Sequence, residues 1–424
     1  VEFGDRLRVP AGGTSTAMTG EHPVAAGQAS DRRRSRVVVL GAGDLGAQLV
    51  GAVRQLGAEV VAVDGQAGAP GHAVADAHAV ARLTDPDELT ALIGDLAPDV
   101  LMVATESVAV EALVAAESAG VQVVPNARSA RLGLDREALR RLAADELGLP
   151  TVPFWFAGSA EELAAIAEHA GYPLVVKPVI AVPGEGSSVL LRPEDVEPAW
   201  QRAVSERFTE NRVLAETVVD IDFELTLLTL RSADALLHFC EPIGHRPVDG
   251  YAGGGVLEVW QPQQMSQAAV DAARSIAARI VNAFGGRGVF GVELLVRGDE
   301  VYFADLSVRP GDSGLVTLRS QRLDEFELHA RVALGLPVDT IMISPGAAEV
   351  VYGSAPPGGA VHEVDRALAA ALRVPESDVR VFAEHPGAPP HQRLGVALAT
   401  APDVLAARDR VRQMSTALRR LWRP

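Results

Sequence analysis

Along this chain the spacing of apolar positions changes repeatedly between that of strands and that of helices. Val37 to Leu40 form an apolar run, Gly41-Ala42-Gly43-Asp44-Leu45-Gly46 follows, and Leu49, Val50, Val53 and Leu56 then recur at helical spacing. A second short strand, Glu59 to Val63, ends at Asp64; Asp99 to Val103, a helix from Ala109 and Val121 to Val124 continue the alternation. Strands alternating with helices predict an α/β unit with a parallel sheet, Rossmann-like in layout. Ligands of such sheets bind beyond the carboxyl ends of the strands, so Asp44, Leu45, Thr105 and Glu106 are expected to line one crevice. Asp64 stands where a nicotinamide-binding protein places its ribose acid, which makes an oxidoreductase a rival reading. The same glycine turn serves any phosphate at a helix N-terminus, and no partner for hydride transfer stands nearby.

From Asp135 the pattern shifts. Asp135-Arg136-Glu137 opens a helix over Ala138 to Leu147, and Gly148-Leu149-Pro150 stops it. The strand Pro173 to Pro178 carries Lys177, whose ammonium must be paired or exposed because burying it alone is costly. It reads either as a phosphate ligand or as a lysine reaching out from a sheet edge. Pro183-Gly184-Glu185-Gly186-Ser187-Ser188 reads as a flap whose backbone N–H groups could cover an anion. Val213 to Val219 and Asp222 to Thr226 read as strands, with Glu224 on the polar face of the second. The helices Gln267 to Ala283 and Glu325 to Leu336 present apolar faces expected in the core.

The stretch with most chemistry is Gly288 to Gly314, a β-hairpin with one carboxylate on each strand and an Arg/Asp loop at its exit. With Gly298 to Glu300 as a three-residue loop, Arg297 pairs with Val301 and Glu293 falls opposite Asp305. Opposed side chains on one face lie roughly 4.5–5.5 Å apart at Cβ, so two carboxylates there repel unless a cation sits between them. A hard divalent ion such as Mg2+, held by carboxylates while it bridges the phosphates of a nucleotide, answers that need. A solvated acidic face is the plainer alternative, but Phe290, Val292, Leu294, Tyr302, Phe303 and Leu306 predict that these strands are covered.

Composition narrows the partners. The chain has 424 residues, enough for two or three domains, and 38 Lys and Arg against 55 Asp and Glu give a net charge of −17. That balance argues against a general nucleic-acid or anionic-membrane surface and leaves room for a local basic pocket. Cys240 is alone, so no intrachain disulfide forms and a reducing cytoplasm is the expected setting. Residues 1–35, rich in Gly, Ser, Thr, Ala and Arg, read as a disordered leader.

Taken in order, GAGDLG, LDREALRRLAADELGLP, GYPLVVKPV, IDFELTLLT, GHR at 244–246, VWQPQQMS, FGVEL, SVRPGDSGLVTL and RLGVALATA resemble the ATP-grasp superfamily. More narrowly, residues 36–424 resemble the formate-dependent phosphoribosylglycinamide formyltransferases of purine synthesis. The resemblance implies an α/β chain with an ATP-grasp fold, preceded by a Rossmann-like (pre-ATP-grasp) domain over 36–134 and followed by a small C-terminal domain. The two-lobed ATP-grasp part is expected over 135–335 and the C-terminal domain over 336–424. ATP and Mg2+ are the implied cofactors, a small carboxylate and an amine the implied substrates, and a homodimer the implied assembly.

Carried over residue by residue, the resemblance makes Arg136, Lys177 and Gly184 ligands of the ATP phosphates, the backbone groups of Glu216, Thr217, Val218 and Val219 the adenine wall, and Glu224 the ribose ligand. Glu293 and Asp305 hold the metal. Asp44, Leu45, Glu106, Asp312, His385, Gln392 and Arg393 face the ribonucleotide, and Arg309 and Asp312 serve the reaction itself; His245 in Gly-His-Arg reads either as a contact to the reacting groups or as a structural, hydrogen-bonded histidine. Departures from the family pattern concentrate on substrate contacts: Asp44 and Asp305 replace Glu, Glu185 replaces a flap Lys, Gly311 replaces a His, and His385 and Gln392 stand where the family has Lys and Arg. They keep two alternatives open: a carboxylate–amine ligase acting on a different or non-phosphorylated substrate, and a nucleotide-binding relative without catalysis.

Overall fold

The computed structural model describes residues 34–180, 186–204, 211–248, 255–353, 361–382 and 392–418, with the backbone alone described at 361–363. Residues 1–33 of the leader and the flap residues Gly184 and Glu185, together with His385, lie outside them. In the N-terminal region five parallel strands run in the order Ala77–Val80, Glu59–Asp64, Arg36–Leu40, Val100–Val103, Gln122–Val124. Val37, Val38, Val39 and Leu40 are all fully buried, as expected of a strand covered on both faces by helices.

The turn into the first helix, Asp44–Gln55, depends on its glycines. Gly41 sits at φ +89°, and a Cβ on Gly46 would lie 2.0 Å from the Gly41 carbonyl oxygen. Asp64 closes the turn from the next strand: Oδ2 accepts from the Ala42 N–H at 2.6 Å and Oδ1 from the Gln66 N–H at 3.0 Å. With both oxygens engaged in local structure, Asp64 is a brace for the turn, and the motif behind the oxidoreductase reading has a structural explanation.

A four-stranded antiparallel sheet, ordered Phe154–Ala157, Val213–Thr217, Leu174–Pro178, Ser188–Leu190, forms a small lobe. The Lys177 strand is interior to this sheet, so Lys177 is no edge lysine. A larger sheet begins with the hairpin Glu300–Ser307 and Gly288–Arg297 and runs through Phe223–Arg231, Ile243–Val248, Val256–Gln261, Gly346–Gly353, Gln392–Thr400 and Ser377–Val381, with Leu237–Phe239 paired to the side of Phe223–Arg231. Its hairpin end packs on the helix Gln267–Phe284, whose Ile276, Ile280 and Phe284 meet Phe290, Val292 and Leu294. Each such side chain contributes about 1.5–3 kcal/mol by leaving water. Asp135 caps the helix Arg136–Arg141 by accepting from the Ala138 N–H at 2.9 Å, and a wider π-type turn, Leu142–Glu146, continues it.

The hairpin differs from expectation at its turn. Arg297 pairs with Glu300 across a two-residue loop, Gly298-Asp299, rather than with Val301. A bulge then makes up the missing residue: Leu294 pairs with Phe303, Glu293 pairs with Asp305, and Ala304 is left over. The opposed carboxylates therefore survive a misread loop.

The glycine turn gives a paired test. Gly46→Ala should lower thermal stability through an overpacking cost of about 1–3 kcal/mol. Gly43→Ala should be tolerated, because a Cβ there meets nothing within 4 Å. Equal melting temperatures for the two variants would contradict this account of the turn.

Candidate active site

Glu293 and Asp305 are both half-buried on neighbouring strands of the large sheet. Burial, and then the charge of Asp305, push the Glu293 carboxyl from its usual 4.5 up to about 7. Arg136 answers only part of the excess charge, its Nε lying 3.7 Å from Asp305 Oδ2. Thr226, in register with Glu293, is buried with no partner for its Oγ1 among the described residues. An all-oxygen pair that repels in the metal-free protein fits a hard divalent cation, and Glu293 and Asp305 are the residues that would hold Mg2+.

The facing small lobe supplies a cation. Lys177 Nζ is 2.8 Å from Glu216 Oε2, and the other oxygen of Glu216 pairs with buried Arg140. Arg136, Arg140, Lys177, Leu214, Ala304 and Asp305 line the cleft between the lobes. The Arg136 N–H donates to Val179 O at 2.9 Å and its Nη1 to Pro178 O at 2.9 Å, so the helix start is tied to the end of the Lys177 strand. Strand Val213–Thr217 stops one residue before Val218, which is 47% exposed. The Thr217 N–H is taken by Pro153 O and the Val218 N–H by Pro173 O, at 3.0 and 3.3 Å. Glu224 lies beside His245 in register, with Oε2 3.9 Å from His245 Nδ1. Burial raises the Glu224 carboxyl above its usual range and lowers His245 to about 4, leaving the imidazole neutral at pH 7.

A second group lies beyond the parallel sheet. Arg309 Nη2 meets Glu106 Oε1 at 2.6 Å, joining the hairpin exit loop to the N-terminal region. Arg393 Nε donates to Asp312 Oδ1 at 2.6 Å, and the Tyr352 hydroxyl donates to Oδ2. Burial works against the Arg393 charge, and Asp312, Tyr352 and Asp44 overcome it, so the guanidinium holds its proton more tightly than usual. Asp44 and Leu45 open the first helix, and Gln392 begins the strand that carries Arg393. Below the loop, Glu325 is fully buried and accepts from the Gly311 N–H at 3.0 Å; burial pushes its carboxyl well up.

Three segments match models of known families: residues 35–132 a ribonucleotide synthetase preATP-grasp domain, 142–326 an ATP-grasp domain, and 358–418 the C-terminal domain of PurT. The formate-dependent phosphoribosylglycinamide formyltransferase of Corynebacterium glutamicum (strain R) is 47% identical over 392 residues, covering 91% of this chain and 94% of its own. The chain belongs to that formyltransferase family. The enzyme of the same name from Paraburkholderia xenovorans (strain LB400) is also 47% identical, over 91% of this chain and 95% of its own. Among solved structures, glycinamide-RNase-transformylase T from Mycobacterium tuberculosis is 51% identical with a TM-score of 0.76, covering 90% of this chain and 99% of that one. Carboxyaminoimidazole ribonucleotide synthase from Aspergillus clavatus, complexed with ATP, has a TM-score of 0.79 at 23% identity over 92% and 99% of the two chains, a likeness of fold. This is an ATP-grasp enzyme of the formyltransferase family, and the family match favours that reading over the two alternatives.

Sequence reasoning missed Arg140 and Tyr352. Arg140 did leave a signal, since it falls within the apolar arc of Leu139, Leu142 and Ala143, where an unpartnered guanidinium would be costly. Tyr352 left none, because its tie to Asp312 spans 40 residues.

The repelling pair makes a stability prediction for metal-free protein. Glu293 keeps its proton to about pH 7 when folded but only to about 4.5 when unfolded, so wild-type stability falls as pH rises between those values and then levels off. Glu293→Gln, which cannot ionise, should melt above wild type at pH 8 in EDTA, with the gap closing as pH falls towards 4.5. A gap that does not vary with pH would contradict the repulsion.

Proposed function

We propose that this chain uses ATP to activate formate and passes the formyl group to the amine of glycinamide ribonucleotide. The observation that carries the reading is the opposition of Asp305, paired with Glu293, to Lys177 across one cleft, within a chain 47% identical to enzymes named for that reaction.

A formate oxygen attacks the γ-phosphorus, ADP leaves, and formyl phosphate forms. The amine then attacks the formyl carbon, phosphate departs, and the nitrogen loses a proton. Mg2+, when bound, offsets the negative charge of the phosphates. Lys177 presents its ammonium to the transferring group, and Glu216 fixes where that ammonium points. Arg136 neutralises part of the carboxylate charge and contacts the phosphates. Thr217, Val218 and Val219 wall the adenine and Glu224 holds the ribose. The family resemblance gives Gly184 a further contact to the phosphates.

Arg309 sits where the phosphate and amine groups meet, anchored by Glu106. Asp312, with each oxygen already accepting a hydrogen bond, is suited to orienting the amine rather than to being a free base. Asp44, Leu45, Gln392, Arg393 and His385 complete the ribonucleotide contacts. The reading extends to a cytoplasmic homodimer; buried Cys240 supports the location and the family likeness the assembly.

Purified protein with Mg2+, ATP, formate and glycinamide ribonucleotide should yield ADP and formylated ribonucleotide in equal amounts. ADP formation without formylated product would contradict the assignment. Gln392→Arg should lower the KM for the ribonucleotide about tenfold, because charge-assisted hydrogen bonds to phosphate are roughly twice as strong as neutral ones. An unchanged KM would remove residue 392 from the sugar-phosphate site.

A further inference from the structure

We propose that Arg140 is a positioning residue for phosphoryl transfer, setting the metal-facing bulge and the phosphate-facing lysine at a fixed separation. The proposal rests on the reading above.

The guanidinium is 4% exposed and spans both lobes. On the large-sheet side, Nη1 donates to Phe303 O at 3.0 Å and Nη2 to Ala304 O at 2.7 Å. These are the carbonyls of the bulge, directly before Asp305. On the small-lobe side, Nη2 also pairs with Glu216, whose second oxygen holds Lys177 Nζ at 2.8 Å. One planar fork thus connects the backbone that aims Asp305 to the carboxylate that aims Lys177.

The bulge matters because of what would happen without it. With the two-residue loop Gly298-Asp299 and an unbroken ladder, Glu293 would face Ala304, and Asp305 would turn its side chain to the opposite face. Arg140 donates to two consecutive carbonyls there, and the Phe303 N–H is held by Pro150 O at 2.8 Å, so the backbone leading into Asp305 is fixed from outside the hairpin. Fold stability alone does not require a guanidinium in this place, since a buried ion pair is often matched by well-packed apolar residues. Phe154 and Phe303, with ring centroids 5.7 and 5.8 Å from the guanidinium carbon, leave it little freedom. A lysine would preserve the charge opposite Glu216 but could not reproduce the planar fork.

The test uses Arg140→Lys, which keeps the buried charge paired and so should fold, with Arg140→Gln as the harsher change. In Arg140→Lys, kcat should fall about 100-fold with the KM for ATP within a few-fold of wild type, as expected when geometry rather than affinity is lost. The Mg2+ concentration that half-saturates ATP binding, measured by calorimetry without formate or amine, should rise about tenfold, the usual scale for loss of an outer-shell contact to a metal ligand. In a Lys177→Met background the same change should lower kcat by clearly less than about 100-fold, because the part of its effect that runs through Lys177 is already lost while the part that runs through Asp305 remains.

An unchanged kcat, an unchanged Mg2+ requirement, or a full additive loss in the Lys177→Met background would overturn the proposal. Wild-type protein that makes no formylated product would instead refute the functional reading, and the Mg2+ titration of ATP binding would still decide the role of Arg140.

Discussion

Two carboxylates on adjacent strands of a covered sheet repel, and much of the cleft is arranged around that repulsion. Glu293 and Asp305 are held opposite each other by the ladder, and the burial that raises the Glu293 carboxyl also removes the solvent that would screen it. Arg136 approaches Asp305 without closing to a hydrogen bond, so the pair remains short of positive charge. Lys177 offsets part of the Glu293 charge, but Glu216 holds its ammonium on the facing lobe. A site short of positive charge between two oxygen ligands, beside a lysine with a fixed direction, suits a metal-bridged polyphosphate.

The rest of the fold gathers a second group of charged residues beside this place. The strand Glu300–Ser307 leads into the loop carrying Arg309 and Asp312; Arg309 reaches Glu106 beyond the parallel sheet, and Asp312 meets Arg393 and Tyr352 from the C-terminal strands. The exit of one hairpin therefore gathers residues from three parts of the chain. Gly311 and Glu325 anchor that loop from below. Asp305 stands at one end of this short segment and Arg309 and Asp312 at the other, so one stretch of chain joins the carboxylate pair to the second group of charged residues.

What could be read from sequence followed the range of the interactions concerned. Strand and helix phases in the N-terminal region, the cap at Asp135 and the opposition of Glu293 to Asp305 rest on neighbours within one element or one hairpin, and those were legible. The hairpin loop was misread by one residue and the pairing still came out right, because the bulge at Ala304 compensates. Nothing local announces that bulge, since the arginine that satisfies its carbonyls lies 163 residues or more away along the chain. Glu216 was expected to contribute its backbone, whereas its side chain is the pivot between Arg140 and Lys177. Asp64 shows the reverse failure: a motif read correctly as local geometry serves the turn itself.

The central claim is that Glu293 and Asp305 together hold a divalent cation against the nucleotide. The most direct measurement is Mn2+ binding in the presence of ADP, followed by electron paramagnetic resonance in wild type and in Asp305→Ala. The account predicts nucleotide-dependent Mn2+ binding in wild type and an affinity at least about tenfold weaker in the variant. Equal affinity in the two proteins would place the cation elsewhere and contradict the claim.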